Sequence, residues 1–157
     1  MKSNDMKWLQ KHANFIIECI SVLYILLFVY AAVSKLLDFQ KFKIQVGQSP
    51  ILTALGHWIA ILVPILEILI ATGLMFPGLR LKSLYASLFL MTIFTTYIIF
   101  ILNFSPYIPC SCGGILDDMG WNAHLVFNLG FVLLAILGIL LLEHKKVKPS
   151  FKTSTVS

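Results

Sequence analysis

Long apolar runs occupy residues 15–33, 51–76, 84–104 and 123–142, and short polar stretches separate them. A helix needs about 20 apolar residues to cross about 30 Å of hydrocarbon, and each run is near that length. The pattern predicts an all-α protein, a four-helix bundle integral to a membrane. Residues 1–14 form a polar N-terminus with Lys2, Lys7 and Lys11, residues 15–142 the membrane domain, and residues 143–157 a polar tail. The tail is expected to be disordered from Pro149 on, and His144, Lys145, Lys146 and Lys148 close the last run.

The polar stretches differ in kind. In residues 34–50, Leu36, Leu37, Phe39, Phe42, Ile44 and Val46 are interspersed with charges. That mixture suits a segment lying on the membrane surface. Residues 77–83, P-G-L-R-L-K-S, form a tight basic turn. Residues 105–124, S-P-Y-I-P-C-S-C-G-G-I-L-D-D-M-G-W-N-A-H, gather prolines, glycines, acids and a closely spaced pair of cysteines between two apolar runs.

Polar residues inside the runs carry specific expectations. Glu18 lies in the first turn of the first run, where it can snorkel to the surface. Cys19 beside it is expected to be a buried apolar filler. In the second run, Pro64 and Glu67 stand in V-P-I-L-E-I-L-I-A. A proline inside a helix frees a backbone carbonyl and kinks the axis. A charge near the middle of the hydrocarbon costs at least ~2.5 kcal/mol, so Glu67 needs a reason. Two readings stand: a protonated carboxyl bonded to a neighbouring helix, or a group that relays protons or binds the polar part of a cofactor. In the fourth run, Asn128, Gly130 and Gly138 are expected to permit close helix approach. Asn122 is the expected N-cap of that helix, and Trp121 the expected member of an interfacial aromatic belt.

Composition excludes the soluble alternative. The chain of 157 residues is 59% hydrophobic and 12% charged, with a mean hydropathy of +0.89. Soluble domains carry about 25% charged residues. The formal charge of +5 does not indicate nucleic acid, because the basic residues sit at the termini and in the loops. Their distribution orients the chain instead. With four spans, one side holds Lys2, Lys7, Lys11, Arg80, Lys82, Lys145, Lys146, Lys148 and Lys152, and the other only Lys35, Lys41 and Lys43. The positive-inside rule puts both termini in the cytoplasm and the cysteine loop outside. For a bacterial inner membrane, outside is the oxidising periplasm. The first run is too long for the apolar region of a signal peptide and lacks a small-residue cleavage site, so it is expected to remain as a span.

The loop carries the candidate chemistry. Cys110 and Cys112 are separated only by Ser111. A disulfide needs Cα atoms about 4.4–6.8 Å apart, which an extended i, i+2 pair barely meets. The backbone must therefore turn, with Gly113 and Gly114 supplying freedom and Pro109 a rigid entry. A bond in so small a ring is strained, and strained disulfides exchange readily. The alternatives are inert thiols, a soft metal site completed by His124 or Asp117, or pairing with cysteines of another protein. His124, at the start of the fourth helix, either handles the proton of a thiolate or sits as a half-buried interfacial histidine. Asp117 and Asp118 keep the loop solvated.

These residues resemble the MauE branch of the DoxX-like membrane proteins. The matching motifs are A-A-V-S-K-L-L-D after the first span, V-P-I-L-E-I-L-I-A-T-G-L in the second, P-C-S-C-G-G in the loop and W-N-A-H entering the last. The resemblance covers residues 15–142 and implies a maturation or thiol-redox role. Such proteins are associated with methylamine utilisation and maturation of a periplasmic, disulfide-rich dehydrogenase subunit. DoxX relatives bring in a membrane quinone as a candidate cofactor. The four-span plan is also similar to the disulfide-generating quinone reductases, which carry a second cysteine pair that this chain lacks. The expectation is thus thiol exchange at Cys110 and Cys112, with His124 assisting and Glu67 available to a cofactor. The partners expected are the lipid bilayer and a periplasmic thioredoxin-like or cysteine-rich protein. A non-enzymatic assembly subunit and a small transporter centred on Glu67 are the competing functions.

Overall fold

The computed structural model describes residues 3–47, 56–104 and 120–152. Among them the chain forms helices α1 (Ser3–Leu37), α2 (Phe39–Gly47), α3 (Gly56–Met75), α4 (Arg80–Phe104) and α5 (Trp121–Lys152). Four contain segments long and apolar enough to cross a membrane: His12–Leu37, Gly56–Met75, Arg80–Asn103 and Trp121–Lys145. The shortest has 20 residues, about 30 Å at 1.5 Å rise per residue. A helix satisfies its own backbone hydrogen bonds, which hydrocarbon requires of any spanning segment.

The bundle turns apolar side chains outward. Leu26, Leu69, Phe89, Leu133 and Leu140 are each more than 60% exposed, a distribution that suits lipid and not water. The core is filled by Tyr24, Phe28, Leu74, Leu84, Met91, Ala135 and Ile139. Buried polar residues are few, and their hydroxyls bond back along their own helix. Ser21 donates to the Ile17 carbonyl, Ser87 to Ser83 and Thr95 to Met91. No new polar partner is needed where lipid offers none.

Adjacency follows from close backbone approach. α1 packs mainly on α3, α4 on α5, and α3 on α4. A Cβ built on Gly138 of α5 would lie 3.2 Å from Leu84 Cδ1 and 3.4 Å from Ile20 Cγ2, so the missing side chain lets three helices meet. Gly130 does not share this role: it is exposed, with nothing within 4 Å of a built Cβ. Tyr24, wholly buried in α1, donates its hydroxyl to the Phe131 carbonyl of α5 and packs edge-on against the Phe131 ring.

Several sequence-based expectations are corrected. Cys19 is exposed on the outer surface of the bundle, not buried. The face of α1 that holds Ile17, Ile20, Ser21 and Tyr24 turns inward, and position 19 falls off that stripe. The expected surface segment after α1 is not among these corrections: it forms a short helix with Phe42 and Val46 of α2 buried against Ala60 of α3, while Ile44 faces out. The cap of α5 is Gly120, whose carbonyl accepts the first helical bond, from His124 N–H. Asn122 therefore lies inside the first turn. α5 continues to Lys152, so residues 149–152 are helical where disorder is expected. Glu18 does reach the surface, where its carboxylate lies 3.8 Å from Arg80.

Candidate functional site

The buried stripe of α3 is Gly56, Ala60, Pro64, Glu67, Ile70, Ala71, Gly73 and Leu74. Its spacing of three and four residues is that of one helix face. Glu67 therefore points into the bundle, with 1% of its side chain accessible. Pro64, also buried, stands one turn before it. Pro64 donates no hydrogen bond, so the carbonyl one turn earlier loses its helical partner.

The partner of Glu67 is Lys35, in the last turn of α1. Lys35 Nζ lies 2.7 Å from Glu67 Oε1, and the lysine side chain is only 11% accessible. A second donor of the ammonium reaches the Ala31 carbonyl at 3.4 Å. The same ammonium sits 5.8 Å from the Phe42 ring centroid and 5.7 Å from that of Phe94, within the range of cation–π attraction. His124 of α5 is close enough to experience the lysine charge, and its ring stacks on Trp121 with centroids 6.4 Å apart. Helices α1 to α4 thus all contribute to the surroundings of one ammonium group.

Glu67 is not fully satisfied. Its Oε2 is buried and has no hydrogen-bond partner among the described residues. An ionised carboxylate oxygen accepts hydrogen bonds and cannot donate them. The pair as a whole is electrically neutral, which removes most of the penalty for a lone charge in hydrocarbon. What remains is one unoccupied acceptor in a nonpolar surrounding.

Lys35 was missed by sequence reasoning, which assigned it to an outer loop. Its signal lay in its position just past an apolar run: a side chain there can fold back along the helix and reach an acid on the next one. The motif residues 31–38 hold Lys35, residues 63–74 hold Glu67, and residues 121–124 hold His124. The first two motifs, far apart in the chain, meet at the Lys35–Glu67 contact, and the third lies within electrostatic reach of the lysine.

Cys110 and Cys112 lie outside the described residues, as do Asp117 and Asp118. Chain connectivity ties both cysteines to the end of α4 at Phe104 and the start of α5 at Trp121. Among the described residues, no group of three or more His, Cys, Asp or Glu side chains could hold a metal ion.

Spanning helices with an apolar exterior and an internal charge pair define a multi-pass helical membrane protein in contact with the lipid bilayer. A family model described as methylamine utilisation protein MauE matches residues 13–141, and the chain belongs to that family. Membership points to a membrane role in methylamine utilisation. No curated protein matches the chain. No solved structure matches it either.

Proposed function

We propose that this chain is a thiol-redox maturation protein of the bacterial inner membrane, with both termini cytoplasmic and Cys110 and Cys112 in the periplasm. The observation that carries the proposal is the buried Lys35–Glu67 pair, with His124, in the first turn of α5, within electrostatic reach of the lysine. The cysteine segment joins α4 to that same turn. An imidazole near an ammonium–carboxylate pair offers a place for protons beside a segment whose thiols release them.

Oxidation of the Cys110 and Cys112 thiols to a disulfide releases two protons and two electrons. A membrane quinone would supply the oxidant for both electrons and both protons, with His124 receiving a proton in transit. The disulfide then passes to a periplasmic thioredoxin-like or cysteine-rich partner through a mixed disulfide, returning Cys110 and Cys112 to thiols. Orientation rests on the basic residues. Lys35 is neutralised by Glu67, which takes it out of the outer count and strengthens the bias.

Thiol trapping in intact cells tests the reading. The pair should shift between reduced and oxidised forms when the quinone pool is reduced or oxidised. Full partner maturation in a Cys110→Ser/Cys112→Ser double variant would sink it. An assembly subunit is the second reading, favoured by the Lys35–Glu67 bond as a joint between α1 and α3. A pair held in one redox state under all conditions would support it.

A further inference from the structure

The Lys35–Glu67 pair has hydrogen-bonding capacity left over on both sides. Glu67 Oε2 is a buried acceptor with no partner among the described residues. An ammonium has three donors. Among the described residues, those of Lys35 go to Glu67 Oε1 at 2.7 Å and to the Ala31 carbonyl at 3.4 Å, which leaves one. One spare acceptor and one spare donor on a bonded pair match a single hydroxyl group, which donates through its hydrogen and accepts through its oxygen.

Charge narrows the class further. The pair is neutral, so a charged ligand would bring an uncompensated charge into the hydrocarbon zone. The walls are apolar: Phe42 of α2 and Phe94 of α4 flank the ammonium, and Trp121 stacks on His124 nearby. Such surroundings receive an uncharged ring better than an aliphatic polyol.

We propose that Lys35 and Glu67 form a receptor for one neutral hydroxyl group carried by an apolar ring compound that partitions into the bilayer. The hydroxyl donates to Glu67 Oε2 and accepts from Lys35 Nζ. Hydroquinones carry such a hydroxyl, so the site would also serve the electron acceptor proposed above. The receptor itself rests on the geometry of Lys35 and Glu67 and not on the thiol reading.

The test uses the full-length protein in phosphatidylcholine nanodiscs. The probe is 1-naphthol, the control its methyl ether 1-methoxynaphthalene, and probe fluorescence is read against empty nanodiscs. Saturable 1-naphthol binding is expected, with the ether weaker by about tenfold or more, as loss of a hydrogen bond to a charged group predicts. Glu67→Gln puts an N–H donor where Oε2 was, and an ether oxygen can accept from it. That variant should lose the preference for the hydroxyl. If it does not fold, Lys35→Met/Glu67→Met replaces the pair with apolar side chains of similar length and should also abolish the preference. Cys110→Ser/Cys112→Ser should bind 1-naphthol like the wild type, which separates this test from the thiol reading. Absence of saturable 1-naphthol binding would mean that the site takes water alone, and the proposal falls. Equal binding of the two probes to the wild type overturns it as well, as does a hydroxyl preference retained in either pair variant.

Discussion

Lys35 and Glu67 stand 32 positions apart in the chain, and their side chains meet at 2.7 Å. The contact ties the C-terminal end of α1 to the middle of α3, inside an otherwise apolar bundle. Breaking it from one side only should therefore be severe. Lys35→Ala or Glu67→Ala leaves a buried charge without its partner, a change that costs about 3–5 kcal/mol in other proteins. Thermal unfolding in detergent should show a large loss for either single variant. Lys35→Met/Glu67→Met should recover most of it, because no charge remains to be compensated. A double variant no more stable than the singles would show that the ion pair does not hold the bundle together.

The approach of α3 to α4 gives a second expectation. A Cβ on Gly73 would overlap Ser83 Oγ and lie 3.4 Å from Ser83 Cβ. Gly73→Ala must displace the serine hydroxyl, which occupies the place of the added methyl group. In a Ser83→Ala background the same substitution meets only a methyl group at ordinary distance. A double-mutant cycle should thus show favourable coupling of about 1 kcal/mol between the two alanines. Additive effects would place the clash elsewhere.

Tyr24→Phe removes the hydroxyl that bonds the Phe131 carbonyl but keeps the ring packed against Phe28 and Phe131. The carbonyl retains its own helical partner one turn on, so no buried group is orphaned. The loss should be small, about 0.6 kcal/mol, the average for such bonds within membranes. Unfolding in denaturing detergent measures it. A loss several times larger would mean that the hydroxyl orders α1 against α5 beyond its single bond.

The cysteines should be distinguishable by their surroundings. Cys19 is exposed on the face that meets lipid, within a spanning segment of α1. A bilayer-soluble maleimide should label it in intact membranes, and a charged, impermeant one should not. Cys19→Ser should leave partner maturation unchanged. Impermeant label on Cys110 and Cys112 from the periplasmic side is the matching expectation for the loop, and labelling only after the membrane is opened would reverse the proposed orientation.

The spans and the fold class were legible because hydrocarbon imposes its demand residue by residue. A run of apolar side chains has one stable answer in a bilayer, and no knowledge of neighbours is needed to read it. Glu67 could be singled out for the same reason: a charge in such a run is an anomaly on local grounds alone. The sequence by itself thus determined the four-helix plan and the need of Glu67 for a partner. Only the tertiary structure decided that this partner is Lys35. The pairing depends on α1 and α3 lying side by side and on α2 turning Phe42 back over the ammonium. Cys19 shows the same limit. Whether position 19 meets core or lipid depends on how α1 is rotated in the bundle, and apolar residues on every side of a helix leave that rotation unmarked until its neighbours are in place.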